Sequence, residues 1–170
     1  MGLCSSIKMV ANPLDDMKQT PQPQTKKALR SMIKNYDGGK KSYGEPNTWD
    51  VTRVTDMSKL FQDMTKFNAP IDQWNTSQVT NMRFMFCDAS SFNQPITMDT
   101  SNVTKMYKMF NGASSFNQPL TMDTSKVTKM YDMFKGADAM THPLPQTKEM
   151  IAVSNFFLKV LRGSKSKVDL

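Results

Sequence analysis

A stretch of 24–25 residues occurs four times in succession, and no other property of this 170-residue chain restricts its fold as strongly. The units read WDVTRVTDMSKLFQDMTKFNAPIDQ from Trp49, WNTSQVTNMRFMFCDASSFNQPIT from Trp74, MDTSNVTKMYKMFNGASSFNQPLT from Met98 and MDTSKVTKMYDMFKGADAMTHPL from Met122. Val54, Val79, Val103 and Val127 correspond, as do Met57, Met82, Met106 and Met130, then Phe61, Phe86, Phe110 and Phe134, then Phe67, Phe92, Phe116 and Met140. A period of this length in series is the mark of a repeat architecture. One unit is too short to bury its own apolar side chains. Stacking sets each residue above its equivalent at about 4.8 Å and joins the apolar positions into one core.

Inside a unit, Val79, Met82, Met85 and Phe86 recur at i, i+3, i+6 and i+7, which predicts a helix of about two turns with that face inward. The run Pro95-Ile96-Thr97-Met98-Asp99 alternates apolar and polar and predicts a short strand, with Ile96 and Met98 facing the core and Thr97 and Asp99 facing water. Proline is tolerated at the first residue of such a strand, where its missing N–H lies at the end of a ladder. Phe92 is expected to plug the turn between the two. The expected fold class is therefore an α/β repeat, a short solenoid of four coils with helical caps at both ends. Its expected core is Val54, Met57, Phe61, Phe67, Val79, Met82, Phe86, Phe92, Val103, Met106, Phe110, Phe116, Val127, Met130 and Phe134. Many of the 16 methionines fall at inward positions, where a flexible, polarizable side chain fills irregular gaps, so packing rather than metal binding accounts for them.

The flanks read as caps. Residues 26–36 (KKALRSMIKNY) place Leu29, Met32 and Ile33 at helical spacing and are followed by Asp37-Gly38-Gly39, which is C-cap chemistry. Residues 148–162 (KEMIAVSNFFLKVLR) place Met150, Val153, Phe157 and Leu161 on one side ahead of Gly163, a second amphipathic helix expected over the far end of the stack. The expected division is 1–25, unstructured and open to lipidation; 26–48, N-terminal cap and entry; 49–144, the four repeats; and 145–170, C-terminal cap and basic tail.

These residues carry a family resemblance. The pattern V-T-x-M-x-x-M-F-x-x-A-S-S-F-N-Q-P-[IL]-x-x-[WM]-D-T-S, with the lead-in helix, Tyr43-Gly44-Glu45-Pro46 and Trp49-Asp50-Val51, resembles the BspA-like or mycoplasma surface-lipoprotein repeat family of unknown function. The resemblance covers residues 26–144. It implies a right-handed, leucine-rich-repeat-like solenoid used for protein contacts, and it supplies no catalytic residues.

Catalytic constellations are scarce. His142 is the one histidine, too little for a nucleophilic triad or a zinc site, so no catalytic residue, metal or cofactor is expected. Asp99 and Asp123 occupy equivalent positions in adjacent units, where mutual repulsion pushes a carboxylate pKa upward, but a solvated acidic edge is expected there rather than an acid/base pair. With Thr97 and Thr121 they form the outward edge of the predicted strands, and these four residues are the candidate binding surface. Asn68, Asn93 and Asn117 also align and are expected to form a ladder that satisfies backbone groups at a turn. Cys87 stands where the other units have Gln62, Asn111 and Lys135, and is expected to be an exposed thiol.

Charge and termini give the functional reading. The net charge of +7 is uneven: residues 1–44 carry 8 basic and 3 acidic side chains, residues 45–144 carry 9 and 10, and residues 145–170 carry 5 and 2. Two cysteines and no apolar leader predict a chain without disulfides or a secretion signal. The start Met1-Gly2-Leu3-Cys4-Ser5-Ser6 fits myristoylation of Gly2 after removal of Met1, and Cys4 is placed for palmitoylation as the second signal that stable anchoring needs. The expected function is a non-catalytic interaction or scaffolding module with an unnamed protein partner. It is expected to be lipid-anchored to the cytosolic face of a membrane in a eukaryotic host, or to be part of a large-virus particle. The competing class, a nucleic-acid-binding protein using its basic flanks, is weaker because the units are near neutral and show no groove-reading motif.

Overall fold

The computed structural model describes residues 20–143. Within them the chain forms one α-helix, α1 (Lys26–Asp37), and one 3-10 turn (Pro46–Thr48), and residues 49–143 run through turns and extended segments. Helix α1 starts where sequence places it. The Thr25 hydroxyl accepts from the Ala28 amide at 3.2 Å, and the Gly38 amide closes the far end onto the Lys34 carbonyl at 2.9 Å. Leu29, Met32 and Ile33 are buried against the first unit.

The expected α/β, leucine-rich-repeat-like solenoid of four coils is not what forms. Among the described residues no unit contains an α-helix or a strand, and β-pairing between units is confined to isolated parallel bridges, Asp56 to Asn81, Asn81 to Lys105 and Lys105 to Lys129. The reason lies in where the amides point. An α-helix spends each N–H on the carbonyl four residues back. Here alternate amides leave the unit: Met57, Lys59, Phe61 and Asp63 donate to the carbonyls of Asn81, Arg83, Met85 and Cys87 at 2.8–3.0 Å. The pattern recurs from Met82, Phe84, Phe86 and Asp88 to Lys105, Tyr107, Met109 and Asn111, and again from Met106, Lys108, Phe110 and Gly112 to Lys129, Tyr131, Met133 and Lys135. Amides in between close three-residue turns, such as Leu60 onto Met57 and Met64 onto Phe61. Lys59, Asp63, Phe84, Asp88, Lys108 and Asp132 have φ between 54° and 64°, a left-handed conformation that interrupts any right-handed helix.

Residues 95–99 do alternate, with Ile96 and Met98 buried and Thr97 and Asp99 exposed, yet they pair into no ladder. The expected caps fare differently. Helix α1 covers the first unit, while the predicted helix at 148–162 lies outside the described residues. The segment 1–25, expected to be unstructured, is attached where it is described: the Pro21 carbonyl accepts from the Asp50 amide at 3.1 Å, Gln22 bonds the Asp50 carboxylate, and Pro23 is buried.

The core is built of side-chain columns. Phe61, Phe86, Phe110 and Phe134 stack with centroids 4.9, 5.2 and 5.4 Å apart and planes within 5° of parallel. Phe67, Phe92 and Phe116 form a second column at 6.2 and 6.0 Å, touching the first. Val54, Met57, Val79, Met82, Val103 and Met106 are buried beside them. Val127, Met130 and Phe134, assigned to the core from register, are only partly buried, because in the last unit the described residues pack on one side of them alone. Helix α1 closes the other end: Arg30 donates to the carbonyls of Lys59, Leu60 and Gln62, and Lys26 Nζ reaches Asp56 and Ser58 at 2.9 Å each.

Candidate functional site

The outward side chains also fall into columns, and these position the candidate surfaces. Along one edge Asp50, Asn75, Asp99 and Asp123 each accept the amide two residues on, from Thr52, Ser77, Ser101 and Ser125, at 2.8–3.1 Å. This is the Asx turn, in which a short polar side chain replaces a backbone acceptor. Next to it, the buried hydroxyls of Thr76 and Thr100 reach the carbonyls of Asp99 and Asp123 at 2.9 and 3.1 Å, tying each unit to the next. The Asn68, Asn93 and Asn117 ladder is present: their Oδ1 atoms accept the amides of Asn93, Asn117 and Thr141, each at 2.9 Å.

Between these two edges lies a shallow open depression of about 480 Å³, lined by Pro95, Ile96, Thr97, Met98, Asp99, Pro119 and Thr121. Ile96 and Met98 form an apolar floor, and Thr97, Asp99 and Thr121 form the rim. Three of the four residues of the sequence-derived binding surface therefore meet in one groove, and Asp123 stands beside it close enough to Asp99 to be felt electrostatically. The rim is held in place, since Thr97 Oγ1 donates to the Asp72 carbonyl of the preceding unit at 2.6 Å.

Asp99 lies on an exposed acidic edge, and its carboxyl is not raised by its neighbour. The Asp99 carboxyl sits below its ordinary value, because the Ser101 amide and then the Ser101 hydroxyl donate to it, and repulsion from Asp123 is the smaller effect. Hydrogen bonds to the charged form win over a like charge across solvent. Asp99 is therefore a fixed anion at neutral pH, suited to holding a cation rather than carrying protons.

Cys87 overturns its expectation as well. It is buried, its thiol lies 3.2 Å from Asp88 Oδ2, and burial pushes it up to about 12, with Asp88 adding to the shift. A thiol so strongly protonated is a poor nucleophile. Hydrophilic equivalents in the other units misled because the small thiol lies down against Asp88 and Asn111 at 3.2 and 3.9 Å.

A face that sequence reasoning missed runs along the bridge-forming edge. Arg83 Nη1 donates to the Tyr107 hydroxyl at 3.3 Å, Phe84 meets the Tyr107 ring edge-on at 5.4 Å, and Tyr107 stacks on Tyr131 at 4.9 Å. The ammonium groups of Lys59 and Lys108 lie over the Phe84 ring at 5.5 and 5.7 Å. Lys105 and Lys129, both exposed, flank it at the bridge positions. The legible signal was the column Asp56, Asn81, Lys105, Lys129 beside Ser58, Arg83, Tyr107, Tyr131, which is acidic in the first unit, gains an arginine in the second and is a lysine with a tyrosine in the last two.

The acylation candidates Gly2 and Cys4 lie outside the described residues. Among the described residues no helix is long and apolar enough to cross a membrane, and no group of three His, Cys, Asp or Glu side chains is placed to hold a metal. No curated protein and no solved structure matches this chain. A family model described as Mycoplasma protein of unknown function, DUF285, matches residues 27–148, and the chain belongs to that family.

Proposed function

We propose that this chain is a non-catalytic protein-interaction module that holds a partner segment in the 95–99 groove and is brought to the cytosolic face of a membrane by acylation of Gly2 and Cys4. The observation that carries the reading is the groove itself, an apolar floor of Ile96 and Met98 edged by the fixed carboxylate of Asp99. Floor and rim favour an extended peptide that offers one apolar side chain beside a basic one. Units on both sides flank this segment, Asp72 through its carbonyl and Thr121 through the rim, so such a peptide would be held by side-chain contacts to floor and rim. The Met1-Gly2-Leu3-Cys4-Ser5-Ser6 pattern supports the anchor. The resemblance to BspA-like surface proteins, which implies a surface used for protein contacts, supports the same reading.

The test has two arms. Intact mass and membrane fractionation of protein made in a eukaryotic cell should show acyl groups and a membrane pool that Gly2→Ala abolishes; wholly soluble protein without acyl mass removes the anchor. Proximity labelling should give neighbours that Thr97→Arg with Thr121→Arg eliminates, while the melting temperature is preserved. If the same neighbours persist, the groove is not the binding site.

A further inference from the structure

We infer that the cation–aromatic face of Lys59, Arg83, Tyr107, Lys108, Lys105 and Lys129 is a docking surface for an anionic membrane, with the phosphate-bearing headgroups of acidic lipids as its ligands. Charge is the first argument. Once the Lys26–Asp56 pair is set aside, the bridge column and the two columns beside it present five cations against the single carboxylate of Asp132. Among the described residues Lys26 and Lys41 form ion pairs, and none of these five cations lies within ion-pair distance of a carboxylate there. Each basic side chain brought to an acidic leaflet adds an increment of attraction that falls off within a Debye length, so clustering on one face matters more than overall charge.

Shape is the second argument. Tyr107 and Tyr131 already stack on each other at 4.9 Å, and Phe84 is covered by two lysines. A nucleic-acid base inserted between two rings needs about 3.4 Å on either side, and stacking on free aromatic faces is what single-strand binders use. Phe84 and Tyr107 are covered in this way and Tyr131 is stacked on one side, so no gap between rings admits a base, and ammonium groups lie above the Phe84 ring. Tyr131, 57% exposed, adds an amphipathic ring of the kind that settles at a headgroup boundary.

Placement is the third. Helix α1 begins beside this face, since Lys26 bonds Asp56, the first member of the bridge column that continues through Asn81 to Lys105 and Lys129. A chain acylated at Gly2 would therefore enter the folded part at the edge of the same face. The inference rests on the membrane side of the proposed function, and it does not depend on acylation.

Full-length protein made in bacteria without an acyl transferase isolates the face from the lipid chains. Sedimentation with phosphatidylcholine vesicles containing phosphatidylserine should show binding that pure phosphatidylcholine does not give and that salt abolishes. Removing one cation lowers partition about fivefold, so Lys105→Gln with Lys129→Gln should weaken it about twenty-fivefold and adding Lys108→Gln about a hundredfold. Melting should be unaffected by the double variant, whose side chains are exposed. Lys165→Gln with Lys167→Gln, the same charge change in the tail, should leave vesicle binding intact. The inference is overturned if the face variants bind like wild type, if the tail variant loses as much, or if no phosphatidylserine dependence is seen. Tighter binding of a single-stranded RNA oligonucleotide that displaces the vesicles overturns it as well. Failure of the Gly2→Ala fractionation alone would remove the acyl anchor and leave this face standing.

Discussion

Phe110→Ala tests the columnar core most directly. Phe110 is fully buried and contacts three rings, Phe86 at 5.2 Å, Phe134 at 5.4 Å and Phe116 at 4.3 Å. A phenylalanine takes about 150–250 Å² out of water, and at about 25 cal/mol per Å² truncation forfeits roughly 4 kcal/mol after allowing for the methyl that remains. The layers above and below are fixed by backbone hydrogen bonds from Phe86 and Phe110, so the gap cannot close by sliding one unit onto the next. The expected loss is therefore at the full value for an uncollapsed site, about 3–5 kcal/mol. Phe134→Ala, at the partly exposed end of the same column, should lose about 1–2 kcal/mol. Urea denaturation followed by circular dichroism reads both as shifts in midpoint at unchanged slope. Equal losses for the two variants, or a Phe110→Ala loss no greater than that of Asn111→Ala, which should stay within about 0.5 kcal/mol, would refute the columnar reading.

Arg30→Ala uncaps three carbonyls of the first unit and should lower stability by about 2 kcal/mol, and Arg30→Lys should recover part of it, because an ammonium cannot span all three; equal melting of the two variants refutes the cap. Gly112→Ala places a methyl 2.2 Å from Asp88 Oδ1 at φ +72°, so it should lose about 1–3 kcal/mol, and Asp88→Ala should relieve part of that in a double-mutant cycle; strict additivity would deny the clash. The carboxyls of Glu45, Asp50, Asp56, Asp72 and Asp99 all sit below their ordinary values, held by donors such as Tyr36, Thr52, Lys26, Gln73 and Ser101. For Asp56 burial opposes the shift, and the bonds from Lys26 and Ser58 outweigh it. A depressed folded-state pKa stabilises above the unfolded value of about 4 and loses that contribution as pH falls through the folded one, so the denaturation midpoint should be flat from pH 7 to 5 and fall below about pH 4. A midpoint that rises on acidification would contradict this sign.

Sequence register located the inward columns and the lead-in helix because both depend on which side chains avoid water, and the hydrophobic pattern records that directly. It failed on backbone conformation because inward residues at 57, 60, 61 and 64 are spaced as on a helix, while the structure reaches the same facing by consecutive three-residue turns. Side-chain spacing does not say where an amide sends its proton. The column Asp63, Asp88, Gly112, Gly136, all at positive φ, is composed only of residue types suited to the left-handed region, but it stands just past the end of the predicted helix, where such residues read equally well as a helix cap. The companion column Lys59, Phe84, Lys108, Asp132 is equally left-handed and carries no such signal, since its conformation is imposed by hydrogen bonds to the neighbouring unit.

The same division explains why the candidate surfaces were unequally legible. Asp56, Asn81, Lys105 and Lys129 occupy the bridge position in turn, and the bridge forms whether the side chain is an acid, an amide or a lysine. Backbone bonds between units at the bridge position do not depend on the side chain there, so that column is free to vary, whereas the Asn68, Asn93 and Asn117 column, whose side chains accept the next unit's amides, is not. In the groove the outward residues repeat, Thr97 with Thr121 and Asp99 with Asp123, and repetition made them visible. On the cation–aromatic face they change from unit to unit, and the change itself is the content: an acid paired to α1 at one end gives way to lysines and tyrosines at the other. A reading that sought constancy between units therefore found the groove and passed over the face, whose chemistry depends on what varies.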